Sequence, residues 1–262
     1  MSTATVRPPK PPSAHVDDQA AENIPLEMRV LPCWVAWRWE RRDGKWTKPP
    51  IDPLTGNSLD ATGPDSWMTF DKARELARRH GDGIGLALGE KGSRSGFVPP
   101  DIDHCIDDQG NVDHRALDLV KRFDSYTERT PSGRGLRIWV RGKKPGDRCK
   151  APSHKDKFLA SIELYEYSRY LTVTGRKIEN SPSAVATRQM ALDELYGAMF
   201  RTGGKTIKAT ASPTPAIPWT CPMRHCWQRP AWESTGLSSP PCTTGVTLAP
   251  TGGMIPRPIF PS

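Results

Sequence analysis

The segment Asp101-Ile102-Asp103-His104-Cys105 places two carboxylates on either side of one apolar residue. On an extended strand alternate side chains share a face, so Asp101 and Asp103 would point the same way, with Cα atoms about 6–7 Å apart. Two carboxylates at that spacing repel unless a cation joins them. Hard oxygen donors favour Mg²⁺ or Mn²⁺, and Mg²⁺ is commonly held by one or two carboxylates together with substrate phosphates. Phosphoryl transfer is the chemistry such a pair would serve. The competing reading is a polar turn that runs on into Asp107-Asp108-Gln109-Gly110.

Two later segments favour the chemical reading. Thr130-Pro131-Ser132-Gly133-Arg134-Gly135 is a glycine-rich turn that feeds the apolar run Leu136-Arg137-Ile138-Trp139-Val140. Such a turn lets backbone N–H groups approach an anion closely, and Arg134 and Arg137 add forked donors. A third carboxylate, Glu163, then sits in Ser161-Ile162-Glu163-Leu164-Tyr165-Glu166, followed by Arg169-Tyr170-Leu171-Thr172-Val173-Thr174-Gly175. An acid pair, a phosphate turn and a third acid, each beside a strand, form the set that two-metal nucleotidyl transfer requires.

Strands and helices must position these groups. Residues 33–40 read as a strand with Trp37 and Trp39 on one face and Trp34 on the other, and residues 25–31 as a short helix. The Asp43-Gly44 dipeptide predicts a hairpin turn, with Trp46-Thr47-Lys48 returning from it. Residues 69–80 fit a helix whose apolar face is Phe70, Ala73, Leu76 and Ala77. Residues 83–88 read as a buried strand. Residues 111–123 read as a helix with Leu117, Val120 and Phe123 inward. Residues 136–140 and 162–167 read as strands, 170–174 as a strand or hairpin return, and 184–200 as a helix with Met190, Leu195 and Met199 among its apolar positions. The mixture, with several antiparallel hairpins, predicts an α+β fold of largely antiparallel sheets flanked by helices rather than a doubly wound sheet.

This order of segments resembles the phage and plasmid primase-polymerases of the archaeo-eukaryotic primase superfamily. The likeness is carried, over residues 25–180, by Cys33-Trp34-Val35-Ala36-Trp37, Thr47-Lys48-Pro49-Pro50-Ile51-Asp52-Pro53, Gly83-Ile84-Gly85-Leu86-Ala87-Leu88, the Asp101-to-His104 segment, Ser125-Tyr126-Thr127, the Pro131-to-Leu136 turn and the Glu163-to-Gly175 stretch. No one block is decisive; the order of all seven is specific. The resemblance implies that Asp101, Asp103 and Glu163 are catalytic and hold Mg²⁺ or Mn²⁺. It implies that Ser132, Gly133 and Arg137, with Lys48, Arg169, Thr172 and Thr174, bind the incoming nucleotide. The family carries a phosphate-contacting histidine where this chain has Arg137. Arginine keeps charge and bidentate donors but cannot shuttle a proton. A second departure is Val98-Pro99-Pro100, where relatives have apolar strand residues. Proline is confined to strand starts, edges and bulges, so the acid-bearing strand is expected to begin only at the acids or to bend.

The chain has 262 residues, a formal net charge of +8 and 36% hydrophobic residues. That is enough for one domain plus extra segments, and the basic surplus suits a phosphate-rich partner. No run is long and apolar enough for a membrane span or a signal peptide, so no membrane association and a cytoplasmic place are expected. The six scattered cysteines fit reduced thiols. The expected organisation is a disordered arm over 1–24, a catalytic domain over 25–183, a C-terminal helix over 184–202 and a disordered Pro-rich tail over 203–262.

That tail holds a single acidic residue, Glu233. Gly203-Gly204-Lys205-Thr206 ends like a Walker A loop, but the position six before its lysine is Met199 rather than glycine. Cys221, Cys226 and Cys242 match no usual zinc spacing. A slipped reading frame is the favoured account of the tail, with loss of a helicase-like region found in longer relatives as its consequence. The expected function is template-dependent nucleotidyl transfer, a DNA primase or polymerase of phage or plasmid replication. It would act on a single-stranded DNA template with nucleoside triphosphates, alongside a replicative helicase. The rivals are a catalytically impaired nucleic-acid-binding remnant and a two-metal nuclease.

Overall fold

In the computed structural model, the structure describes residues 9–52, 55–58, 63, 66–90 and 93–200. In chain order the elements are α1 (Asp18–Asn23), α2 (Leu26–Arg29), β1 (Trp34–Trp37), β2 (Glu40–Arg42), β3 (Lys45–Thr47), α3 (Phe70–His80), β4 (Gly83–Ala87), β5 (Gly89–Glu90), β6 (Ser93–Arg94), β7 (Pro100–Ile102), α4 (His114–Phe123), β8 (Thr127–Arg129), β9 (Leu136–Ile138), β10 (Val140–Arg141), α5 (Lys157–Ala160), β11 (Ile162–Leu164), β12 (Tyr170–Val173), β13 (Ala186–Thr187) and α6 (Gln189–Phe200). The fold is α+β, as expected.

Two antiparallel sheets dominate. The first has the strand order β1-β4-β12 and the second β11-β7-β9-β8. β2 and β3 form the expected hairpin, with Asp43 and Gly44 both at positive φ, as an Asp-Gly turn requires. The first sheet is buried on both faces. All of β1 and β4 is buried, and its main core gathers Trp34, Ile84, Leu86 and Phe70 with residues from α1, α2 and α3. Trp37 and Trp39 meet edge to face at 5.2 Å on the side opposite Trp34, as the alternation predicts. The second sheet packs Ile102, Leu136, Ile138, Ile162 and Leu164 against Ala116, Phe123, Leu192, Leu195 and Met199 of α4 and α6. Fully burying each such side chain contributes roughly 1.5–3 kcal/mol.

Several expectations change. A disordered arm over 1–24 does not hold for its described part. Ala14 pairs with Gly83, the Asp17 side chain caps α1 by accepting from Ala20, and Val16, Ala21 and Ile24 are buried in the main core. Four small or branched apolar residues among prolines and polar residues are enough to bind this segment down. Residues 1–8 lie outside the described residues, as does the tail with its Walker-like and cysteine motifs. In α4 the inward residue is Ala116, not Leu117, which is 40% exposed. The stripe runs through Ala116, Leu119, Val120 and Phe123, and the helix, capped by Asp113, begins at His114, three residues later than expected. Residues 184–188 precede the helix, with β13 at Ala186–Thr187 and α6 beginning only at Gln189, and Met190 is 71% exposed. β12 does not return beside β11; it pairs with β4 in the other sheet. Among the described cysteines, Cys105 and Cys149 are free thiols.

Candidate active site

β7 begins at Pro100 and ends at Ile102, so Asp101 is its centre and Asp103 lies just beyond it. The prolines explain this: Pro100 has no ladder donor and is tolerated only as the first residue of the strand. Register then fixes the site. Asp101 is paired with Glu163 across β7 and β11, and with Arg137 across β7 and β9. Arg137 is in turn paired with Glu128 across β9 and β8. Directly opposed residues share a face with Cβ atoms about 4.5–5.5 Å apart. One face of the second sheet therefore carries the row Glu163, Asp101, Arg137, Glu128.

Each member of that row is engaged. Arg137 is 4% exposed. Its Nη2 donates to Asp101 Oδ2 at 2.6 Å, and its Nη1 donates to the Thr172 hydroxyl at 2.8 Å and to the Thr172 carbonyl. It thus ties the second sheet to β12 of the first. Asp101 Oδ1 and Arg137 Nε are buried with no hydrogen-bond partner. Glu163 is ion-paired with Lys150 and hydrogen-bonded to the Tyr165 hydroxyl. Glu128 is fully buried and accepts from Tyr126 Oη at 3.0 Å, Trp139 Nε1 at 3.1 Å, and the backbone N–H groups of Thr174 and Gly175 at 3.1 and 2.9 Å. Burial pushes its carboxyl above the usual carboxylate range, opposed by the Arg137 charge and these donors.

Asp103 completes the acid group. Its backbone N–H donates to the Ser161 carbonyl beside β11, and His104 follows in the left-handed region at φ 54°. Although the residue is exposed overall, protein around its carboxyl and then the negative charges of Asp101 and Glu163 raise its pKa. Lys48 approaches from the end of the β2–β3 hairpin, its Nζ 4.8 Å above the Trp39 ring and its carbonyl accepting from the Tyr170 hydroxyl. Burial and then the Arg137 charge lower its pKa, while Asp101, Asp103 and Glu163 oppose the shift. The sequence-predicted acids, Lys48, Arg137 and Thr172 are thus brought within electrostatic reach of one another.

The glycine turn lies at the same end of β7. The Arg134 carbonyl accepts from the Ile106 N–H at 3.0 Å, and Leu136 is paired with Ile102. Gly133 adopts φ 73° with open space around it, while a Cβ at Gly135 would meet the Ile102 carbonyl at 2.8 Å. Ser132 Oγ lies 3.2 Å from Thr130 Oγ1, and Arg134 pairs with Asp108 at 2.9 Å on the surface. Arg169 is exposed and lies 4.8 Å over the Tyr165 ring. Thr174 is buried, its hydroxyl donating to the Arg129 carbonyl at 2.7 Å. Glu128, Lys150 and Tyr165 escape a reading of the sequence. Only a charge inside the Tyr126-to-Arg129 strand, next to the glycine turn, hints at Glu128.

The donor set fits a hard divalent cation, with a buried, unpartnered carboxylate oxygen on Asp101 and an Asp103 carboxyl raised partly by its acidic neighbours. Among the described residues, however, no three acidic, histidine or cysteine side chains form a ready metal cage. Asp101 and Glu163 turn instead to Arg137 and Lys150. No helix among the described residues is long and apolar enough to cross a membrane.

No family profile matches the chain. Over 146 residues, 54% of its length, it is 39% identical to the DNA primase-polymerase of Nitratiruptor phage NrS-1, of which it spans 19%. The chain thus covers about a fifth of the curated relative it matches.

Proposed function

We propose that this chain carries a phage primase-polymerase domain and performs template-dependent nucleotidyl transfer at Asp101, Asp103 and Glu163. The observation that carries this reading is the register that seats Asp101 directly between Glu163 and Arg137. The three carboxylates would hold Mg²⁺ or Mn²⁺, which when bound would favour ionisation of the attacking 3′-hydroxyl and stabilise the departing pyrophosphate. The remaining work falls to the chain's own groups. Lys48 supplies positive charge beside the acids. The Ser132 hydroxyl and the open turn at Gly133 would meet the triphosphate from the end of β7. Arg137 and Thr172 close the opposite side, Arg169 guards the rim, and Thr174 fixes the turn behind it. The unit includes the core-bound segment after residue 9 as well as residues 25–183. Basic surface would follow the single-stranded DNA template by neutralising phosphates, and a replicative helicase is the partner such an enzyme would work beside.

A second reading has its own observation. Arg137 stands where the family has a histidine and is spent on Asp101 and Thr172, which favours a nucleic-acid-binding remnant without catalysis. Incubation with labelled nucleotides, Mn²⁺ and a primed or unprimed single-stranded template separates the readings. Extension that disappears in Asp101→Asn supports transfer. Template binding without products supports the remnant. Shortening of the template would point to a nuclease and reject both.

A further inference from the structure

We infer that Arg137 is the resident counter-ion of the acid group, and that a divalent cation and a nucleoside triphosphate bind cooperatively because both act on its pairing with Asp101. This rests on the proposed cation site at Asp101, Asp103 and Glu163. The guanidinium is permanently charged and 4% exposed, and its Nη2 occupies Asp101 Oδ2 at 2.6 Å. The same carboxylate keeps a second, buried oxygen without a partner, and the same guanidinium keeps an unpartnered Nε. The pair is therefore incompletely satisfied on both sides. Each is half committed to its partner and half available to something else.

The charges around it say what that something is. Asp101 is flanked across the strands by Glu163 on one side and Arg137 on the other, and Asp103 feels both acids. Taking Arg137 away would leave a more negative pocket that attracts a divalent ion more strongly. A cation arriving while Arg137 is in place must share Asp101 with it. A triphosphate offers the guanidinium a second, bidentate anionic partner. Drawing Arg137 onto phosphate frees Asp101 Oδ2 for the cation, and a cation on Asp101 frees Arg137 for phosphate. Linkage makes the two effects equal in free energy. Arginine, unlike a neutral histidine, is able to play this part at any working pH.

The test is Mn²⁺ binding followed by electron paramagnetic resonance, with and without a non-hydrolysable nucleoside triphosphate analogue, in the parent, Arg137→Gln and Asp103→Asn. The parent should bind Mn²⁺ about tenfold more tightly when the analogue is present, within the usual span of couplings between sites. Arg137→Gln should bind Mn²⁺ alone about tenfold more tightly than the parent, and the analogue should strengthen it less than it does the parent. Equal or weaker Mn²⁺ binding by Arg137→Gln, or an undiminished effect of the analogue, overturns the inference. Asp103→Asn separates this from failure of the site itself: if it binds Mn²⁺ as the parent does, the cation-site reading falls and takes the inference with it. If Asp103→Asn loses Mn²⁺ while Arg137→Gln matches the parent, only the counter-ion role falls. Should Arg137→Gln be unfolded alone, Mn²⁺ should restore its fold by binding the native state; no recovery overturns the inference.

Discussion

The two sheets are buried to a similar depth but are held together by different means. The first spends its interior on rings. The Trp37 ring lies against Gly83 and the Tyr170 ring against Gly85, and a Cβ at either glycine would meet ring carbons at 2.5 Å. The second sheet has an equally apolar face toward α4 and α6, but its other face carries the row Glu163, Asp101, Arg137, Glu128. Rings need only space, whereas buried charges need a partner for every lone pair and every proton. The difference is that the first sheet is a scaffold and the second stores unspent electrostatic free energy where it can be used. The unpartnered Asp101 Oδ1 and Arg137 Nε are where that storage is visible.

Breaking the charged sheet should cost most. Glu128→Ala removes the acceptor of two side chains and two backbone N–H groups at once and leaves Arg137 with one fewer compensating charge. By analogy with a buried pair that loses one partner, the expected loss is about 3–5 kcal/mol of unfolding free energy, measured in urea. A loss under about 1 kcal/mol would mean that solvent reaches these donors and that the contrast between the sheets is overstated. The ring-packed sheet should be hurt less by an added methyl group. Gly85→Ala drives a methyl group into the Tyr170 ring and toward the Leu171 carbonyl at 2.8 Å, and overpacking of this kind costs about 1–3 kcal/mol. Because the Tyr170 hydroxyl donates to the Lys48 carbonyl, the same change should also shift Lys48 and weaken nucleotide binding, read by fluorescence titration. A variant that loses stability but binds nucleotide normally would confine Tyr170 to packing.

What could be read in advance follows the same division. The alternation of Trp34 against Trp37 and Trp39, the Asp-Gly hairpin and the buried Gly83-to-Ala87 strand were legible, because each is set by neighbours within a few residues. Which strand lies beside which was not. β12 follows β11 in the chain yet pairs with β4 in the other sheet, and nothing local to Tyr170 records this. The acids were legible as residue types, but Asp101's direct neighbours, Glu163 and Arg137, come from strands 62 and 36 positions away and are fixed only by register. Glu128 was missed because a glutamate in a strand normally faces water, and its donors come from residues that flank β8, β9 and β12. The segment from residue 9 through α1 to Ile24 was misread because its average composition hides Val16, Ala21 and Ile24, which are buried.

The smallest expected effect is the most direct gauge of stored repulsion. Asp103 has a raised pKa in the folded chain, caused by surrounding protein and then by Asp101 and Glu163. A carboxyl that is harder to ionise folded than unfolded takes up protons on folding. It therefore opposes folding once the pH passes through the carboxylate range, and is neutral to stability well below that range, where it is protonated in both states. Asp103→Asn removes the charge while keeping the shape. It should stabilise the chain near pH 7 by about 0.5 kcal/mol, a small figure because the residue is exposed and solvent screens it. The gain should fade as the pH falls below about 4, where the parent carboxyl is itself neutral. Thermal unfolding of parent and variant from pH 3 to 8 measures this directly. If Asp103→Asn is no more stable than the parent near pH 7, Asp103 is already compensated by cations such as Lys48, and the acids store less repulsion than the register implies. If it is more stable near pH 7 but Mn²⁺ removes the difference by stabilising the parent more, the repulsion at Asp103 is what a divalent cation relieves.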